Sequence, residues 1–345
     1  MHPDRLFPPD PEVRTIARRL YASVSDLPII SPHGHTDPKW FATDGNFSDP
    51  AALFVTPDHY VFRMLYSQGV PLERLGIRRR DGKPVEDDPR KIWRVFAEHF
   101  HLFRGTPTRI WIEQSLHDTF GIRERLAPES ADRIYDEVND LLARPSYRPR
   151  ALFERFRIEV IATNDAALDD LRHHDAIRQS GWSGRVVPTY RPDAVVDPGR
   201  KDFTADVESF IAMAGAPMTW AGYLEAHRSR RHYFKARGAT ASDHGHPTAR
   251  TANLDRASAE QLFGRVLRLG VSAEDAELFR AQLLTEMARM SLDDGLVMQL
   301  HPGSFRNHNT ELFSAFGPDI GADIPTQTDY VHALKPLLDE LGNDP

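Results

Sequence analysis

Five short apolar runs, each giving way at once to polar or charged residues, set the tightest limit on how this chain can fold. They are "LPII" from Leu27, "IEVIAT" from Ile158, "RVVPTY" from Arg185, "GATAS" from Gly238 and "LVMQL" from Leu296. Runs this short, several of them rich in Val and Ile, suit strands buried on both faces, as in a parallel sheet. Between most of them the apolar spacing changes to three and four, which predicts helices. "DAALDDLRHHDAIRQ" from Asp165 opens acidic and stops before Gly181, and "DFTADVESFIAMA" from Asp202 follows the third run. "SAEDAELFRAQLLTEMARMSLDDG" has Ser272 as its cap with Glu274 close behind. "TDYVHALKPLLDELG" from Thr328 carries Pro336 in mid-pattern, a predicted kink. Strand, polar turn, helix, strand is the rhythm of an α/β domain with a parallel sheet.

No Gly-rich fingerprint follows the first run and no phosphate-loop pattern occurs, so dinucleotide and nucleotide versions of this architecture lack support. The option left is a (β/α) barrel, whose chemistry gathers at the C-terminal ends of the strands. The polar residues after the runs are His33 and His35, Asn164 and Asp165, Arg191 and Asp193, Asp243 and His244, then His301 and Arg306. Residues of about 45–150 differ in texture: "FRMLYSQGV", "RKIWRVFAEHFHLF" and "TRIWIEQSLHDTFGI" are helical and aromatic, which predicts a helical insertion after the first strand. The expected organisation is an N-terminal helix and first strand over 1–44, the insertion over 45–150, and strands two to five with their helices over 151–345.

Composition narrows the chemistry. With 43 basic and 50 acidic side chains interspersed, the net charge is −7, against a general nucleic-acid binder and in favour of a small-molecule substrate. The chain has no cysteine, so thiolate metal sites and cysteine nucleophiles are excluded and any ion must be held by His, Asp, Glu or backbone oxygen. No stretch approaches the length of a membrane span, and the N-terminus lacks the pattern of a signal peptide, so a cytoplasmic protein is expected.

Sixteen histidines make His-x-His triplets unremarkable by chance, and three occur, at 33–35, 99–101 and 244–246. Context separates them. His99 and His101 sit in a helical run, where i and i+2 point to different sides and cannot chelate one ion. His33 and His35 lie just past a strand, where i and i+2 share a face and two neutral imidazoles can reach one divalent ion. The plainer alternative is a pair of rim histidines bonded to backbone. His244 and His246 also follow a strand-like run, but Asp243 is the more natural ligand or base there.

The segments "SPHGHTDPKWFA", "PDHYVFRMLYSQGV", "GTPTRIWIE", "VPTYRPD", "SDHG" and "MQLHPGSFRNHNTELFSAFGPDIGAD" together resemble the uronate isomerases, a branch of the amidohydrolase superfamily. The likeness runs in order from about residue 25 to the end. It implies a distorted (β/α)8 TIM-type barrel of the metal-dependent hydrolase kind, with a helical insertion after strand 1. It also implies aldose–ketose isomerisation of hexuronates, D-glucuronate to D-fructuronate and D-galacturonate to D-tagaturonate. By the same resemblance one divalent ion, expected to be zinc, sits on the residues matching His33 and His35. Only about five of the eight strands are legible here. The family's further metal Asp and catalytic Arg come from strands beyond "GNDP", so we expect a longer polypeptide in preference to a fragment completed by another chain.

Moving a carbonyl from C1 to C2 requires taking a proton from C2 and returning one at C1 through an enediol, with a carboxylate clamp for the anionic substrate. Tyr60, with His59 in "DHY", matches the family's insertion pair. Tyr60 is the candidate proton donor to the substrate oxygen and His59 a candidate substrate contact. His301 suits proton transfer near neutral pH, and Asp243 could orient it or hold a metal-bound water. Arg191 and Arg306 are the candidate carboxylate clamps, Arg306 with the alternative of a salt bridge to a rim Asp. Trp40 and Asp37 are expected only to shape the loop. The strand-4 exit "ATASDHG" has no lysine, which favours one ion over two. Alternatives are a mononuclear hydrolase or deaminase on the same barrel, or an inactive fragment that binds sugar acids. The expected partner is a small-molecule hexuronate, with no nucleic acid and no membrane, in a homo-oligomer.

Overall fold

The computed structural model describes residues 2–268 and 270–343. The chain divides into two compact units, one built from residues up to Ile29, Asp44–Arg157 and Phe305–Ile324, the other from Ile30–Thr43, Ile158–Ser304 and the residues from Pro325.

The first unit is helical. Its helices include Pro50–Phe54, His59–Ser67, Pro89–His99, Pro107–Gln114 and Ala131–Leu142. Pro89–His99 shows why: Asp88 accepts hydrogen bonds from the Arg90 and Lys91 N–H groups, and Pro89 takes the first helical position, where no N–H is needed. Its apolar stripe of Ile92, Trp93, Val95 and Phe96 is buried, and Trp93 Nε1 donates to Ala131 O at 2.9 Å. Phe96, Phe100 and Phe103 stack edge to face or tilted behind it. The Pro11–Ala22 helix, capped by Asp10, buries no residue at all.

The second unit holds the sheet. Strands β1 (Ile29–Ser31), β2 (Ile158–Ala166), β3 (Arg185–Arg191), β4 (Ala241–His244) and β5 (Val297–Leu300) lie in the order 1-2-3-4-5. The neighbours from β2 to β5 pair in parallel, giving a curled half-barrel. Each strand sits beside the next in sequence, as right-handed βα units require. Helix Trp220–Lys235 packs on β3 and helix Ala273–Asp294 on β5, with Phe203–Met213 and Arg256–Val266 packed on these helices; Phe210, Tyr223, Phe263 and Phe279 belong to the second core.

The sheet departs from the sequence-based expectations in three places. β2 runs on through Asn164, Asp165 and Ala166 because these pair with Thr189, Tyr190 and Arg191 of β3, so the following helix covers only Arg172–Gln179. β4 starts at Ala241 rather than Gly238 and takes Asp243 and His244 into the strand, paired with Gln299 and Leu300. The kink expected at Pro336 is present as a break between the helices Tyr330–Ala333 and Lys335–Leu341, because Pro336 lacks the N–H that would continue the first of them. The segment "LPII", expected to be buried, is largely open: Leu27, Ile29 and Ile30 are 61, 49 and 61% exposed. β1 lies at the edge of the sheet, with β2 as its strand neighbour among the described residues.

Candidate active site

The C-terminal ends of four strands bring their side chains to one place. His33 stands two residues past β1, Arg191 ends β3, Asp243 lies in β4 and His301 follows β5. The β4–β5 register sets Asp243 beside Gln299, so that His301, two residues on and on the same face, reaches the Asp243 carboxylate. His301 Nε2 stands 2.7 Å from Asp243 Oδ1, His33 Nδ1 stands 3.6 Å from that oxygen, and Arg191 Nη1 stands 3.5 Å from Oδ2. Asp243 is fully buried and all three of these partners are part-exposed. One carboxylate with no access to water is therefore held by three partners that can still meet a solute.

The electrostatics follow. Burial pushes the Asp243 carboxyl up, but the hydrogen bond from His301 and the charges of His301, Arg191 and His33 outweigh it and hold the group below the usual carboxylate range. The same hydrogen bond raises His301 above an ordinary imidazole, against the opposing effect of burial. His35 is pushed down, first by burial and then by the charges of Arg191 and His33. It is therefore neutral at pH 7, the state a metal ligand needs.

His33, Asp243 and His301 offer donor atoms that all lie within 4.8 Å of one another, the group among the described residues able to hold a metal ion. His35 adjoins it, its ring 5.5 Å from that of His33 at a steep angle. One neighbour that sequence reasoning missed, Gln299, holds His33: its Nδ1 meets Gln299 Oε1 at 3.1 Å, and Gln299 Nε2 donates to Pro32 O at 3.0 Å. Asn164 Nδ2 lies 3.4 Å from His33 Nε2. The signal for Gln299 was available, since in a strand it shares a face with His301.

Beside His35 a cavity of about 280 Å³ is lined by His35, Asp37, Asn164, Asp165, Asp169 and His174, among others. Thr163 Oγ1 bridges Asp165 Oδ2 at 2.7 Å and His174 Nε2 at 2.9 Å. Burial pushes Asp165 up to about 6, with the charge of Asp169 adding and the Thr163 hydrogen bond opposing. Burial also pushes His174 down to about 4.

The other candidates lie as follows. His244 and His246 are buried, and neither joins the group of ligand atoms. His99 bonds through Nδ1 to Val95 O in its own helix. His59, Tyr60 and Arg306 belong to the first unit. There the His59 and Tyr60 rings are 4.4 Å apart at the start of the His59–Ser67 helix, with Tyr60 55% exposed. Arg306 pairs with Asp323 at 3.6 Å and Asp319 at 4.0 Å, both within the first unit and not at the strand ends.

The chain is similar to known proteins throughout. The glucuronate isomerase family pattern matches residues 13–345. A uronate isomerase of Brucella canis is 62% identical over 345 residues, covering 100% of this chain and 74% of the relative. The crystal structure of glucuronate isomerase from Caulobacter crescentus superposes with a TM-score of 0.97 at 56% identity, covering 100% of this chain and 72% of that one. A uronate isomerase structure from Thermotoga maritima gives 0.89 at 26% identity, over 99% of this chain and 73% of that one.

Proposed function

The chain belongs to the glucuronate isomerase family of the amidohydrolase superfamily, and from that premise we propose that it interconverts D-glucuronate with D-fructuronate and D-galacturonate with D-tagaturonate. Family membership sets aside the hydrolase and deaminase alternatives. We propose further that the five strands are five of the eight of a (β/α)8 barrel, with residues 45–150 as an insertion after the first. The strand order 1-2-3-4-5 and the gathering of polar groups at the strand ends support this.

The observation that carries the reading is the convergence of Arg191, Asp243, His301 and His33. Arg191 supplies a planar cation for the uronate carboxylate. His301 is the proton carrier between C2 and C1. Because His301 Nε2 lies 2.7 Å from Asp243 Oδ1, its Nδ1 is the ring nitrogen left to accept a proton, and the buried carboxylate stabilises the imidazolium that results. Asp243 thereby orients His301 and stays ionised throughout. His33 and His35, with Asp243 beside them, would hold one divalent ion, zinc by resemblance, which when bound supplies Lewis acidity toward a substrate oxygen. The neutral His35 and the ionised Asp243 suit that donor set. For Tyr60 as proton donor, and for His59 and Arg306 as substrate contacts, support comes from the sequence resemblance alone.

The test is to incubate the protein with D-glucuronate and follow ketose formation. Turnover is expected in the parent, with a loss of about 100-fold or more in kcat for His301→Gln. Tyr60→Phe with unchanged turnover would remove Tyr60 from the mechanism. An absence of ketose in the presence of added zinc would refute the reading.

A further inference from the structure

We propose that Asp193 and Gly245 together act as the positioning device for Arg191, fixing the orientation in which its guanidinium meets the substrate carboxylate. This rests on the reading that Arg191 binds that carboxylate.

Arg191 is bracketed by two carboxylates. Its Nε donates to Asp193 Oδ2 at 2.8 Å, and its Nη1 stands 3.5 Å from Asp243 Oδ2 on the other side. A guanidinium tied at Nε and at Nη1 cannot turn about its Cδ–Nε bond or swing out of its plane without breaking an ion pair. Asp193 is fixed in turn, because the Gly245 N–H donates to its Oδ1 at 3.2 Å. The chain therefore ties the end of β3 to the residue just past β4 through a single carboxylate.

Space beside residue 245 is taken up by the same groups. A Cβ built on Gly245 would lie 2.7 Å from Arg191 Nη2, 2.8 Å from Asp193 Oδ2 and 3.1 Å from His301 Cε1. The two nearest would be closer than real Cβ contacts allow, and both are the partners of the Arg191–Asp193 bond itself. A side chain at 245 would push that pair apart or push His301 off its line to Asp243. Gly245 is thus the point where the clamp and the proton carrier come within one methyl group of each other. Arg191 and Asp193 are each about one-fifth exposed, so the clamp remains open to a solute. Orienting the cation before the substrate arrives moves the cost of ordering it from binding to folding. That predicts an effect on affinity larger than on the chemical step.

The experiment is a double-mutant cycle in the full-length protein, with D-glucuronate as ligand. Its dissociation constant is measured by calorimetry alongside KM and kcat, and a melting curve for every variant controls for folding. Asp193→Asn keeps the shape and an acceptor for the Gly245 N–H but removes the charge. It is expected to raise Kd and KM about tenfold with kcat within about threefold of the parent. Gly245→Ala is expected to do the same and to lower kcat as well, through His301. In an Arg191→Met background Asp193→Asn should have no further effect on Kd. If Asp193→Asn leaves Kd unchanged while Arg191→Met weakens binding, the positioning role is overturned and the carboxylate reading stands. If Asp193→Asn weakens binding equally in both backgrounds, Asp193 acts independently of Arg191 and the inference fails. If Arg191→Met itself leaves Kd unchanged, the carboxylate reading falls and takes this one with it.

Discussion

Asp165 shows what a single buried carboxylate does to this protein. It is 6% exposed, and burial pushes it up to about 6 from an ordinary value of 3.8. Between those two values the folded chain binds a proton that the unfolded chain does not, so stability falls as pH rises through that window. Above pH 6 the charged form costs up to about 3 kcal/mol. Asp165→Asn should therefore stabilise the protein at pH 7 by up to that amount and lose its advantage below pH 4, as read by urea unfolding at the two pH values. His174, down at about 4, has the opposite sign. The unfolded chain takes up its proton first, so His174 makes stability fall as pH drops from about 6.5 to 4. Replacing His174 by Gln should flatten the acid side of the stability curve. Asp243 differs from Asp165 although it is even more deeply buried, because His301, Arg191 and His33 surround it. Desolvation alone does not set the charge of a carboxylate here; its partners do.

The helices were the most legible elements, because their signals are local. Ser272 was expected as a cap, and its Oγ accepts from the Asp275 N–H at 3.0 Å at the head of Ala273–Asp294. Ser272→Ala should cost about 1 kcal/mol in chemical denaturation. Strands were legible in number and place but not in their ends. A ladder of hydrogen bonds to a neighbour decides where a strand stops, and the neighbour is far away in sequence. Thus β2 runs three residues beyond the predicted run, to Ala166, because β3 offers partners up to Arg191. Burial was the least legible, since "LPII" and "IEVIAT" look alike as text while Ile30 is 61% exposed and Ile161 7%. Ile161→Ala should cost about 3 kcal/mol and Ile30→Ala under about 1 kcal/mol, in the same denaturation assay.

At the scale of the whole molecule, a bound ion is predicted to act on stability as well as on chemistry. Zinc added to chelator-treated protein should raise the melting temperature, with about 2.7 kcal/mol of stabilisation at a hundred times the dissociation constant. Asp243→Asn should remove most of that shift, because it deletes the one fully buried carboxylate among the donor atoms. The alternation of short apolar runs with helical spacing was enough, by itself, to set an α/β chain and the five strands of its main sheet. The motifs around His33, Arg191, Asp243 and His301 were enough to set the family. Both are local properties of the text, fixed by periodicity and residue type. Which side chains share one site was decided by register together with the curl of the sheet. The β4–β5 pairing sets Asp243 beside Gln299 and brings His301 within 2.7 Å of its carboxylate, while the curl sets Gln299 of β5 against His33 past β1, at the other end of the strand order and 266 residues away in the chain. No spacing along the sequence encodes a distance of that kind, because it arises only when backbone hydrogen bonds fix one strand against the next.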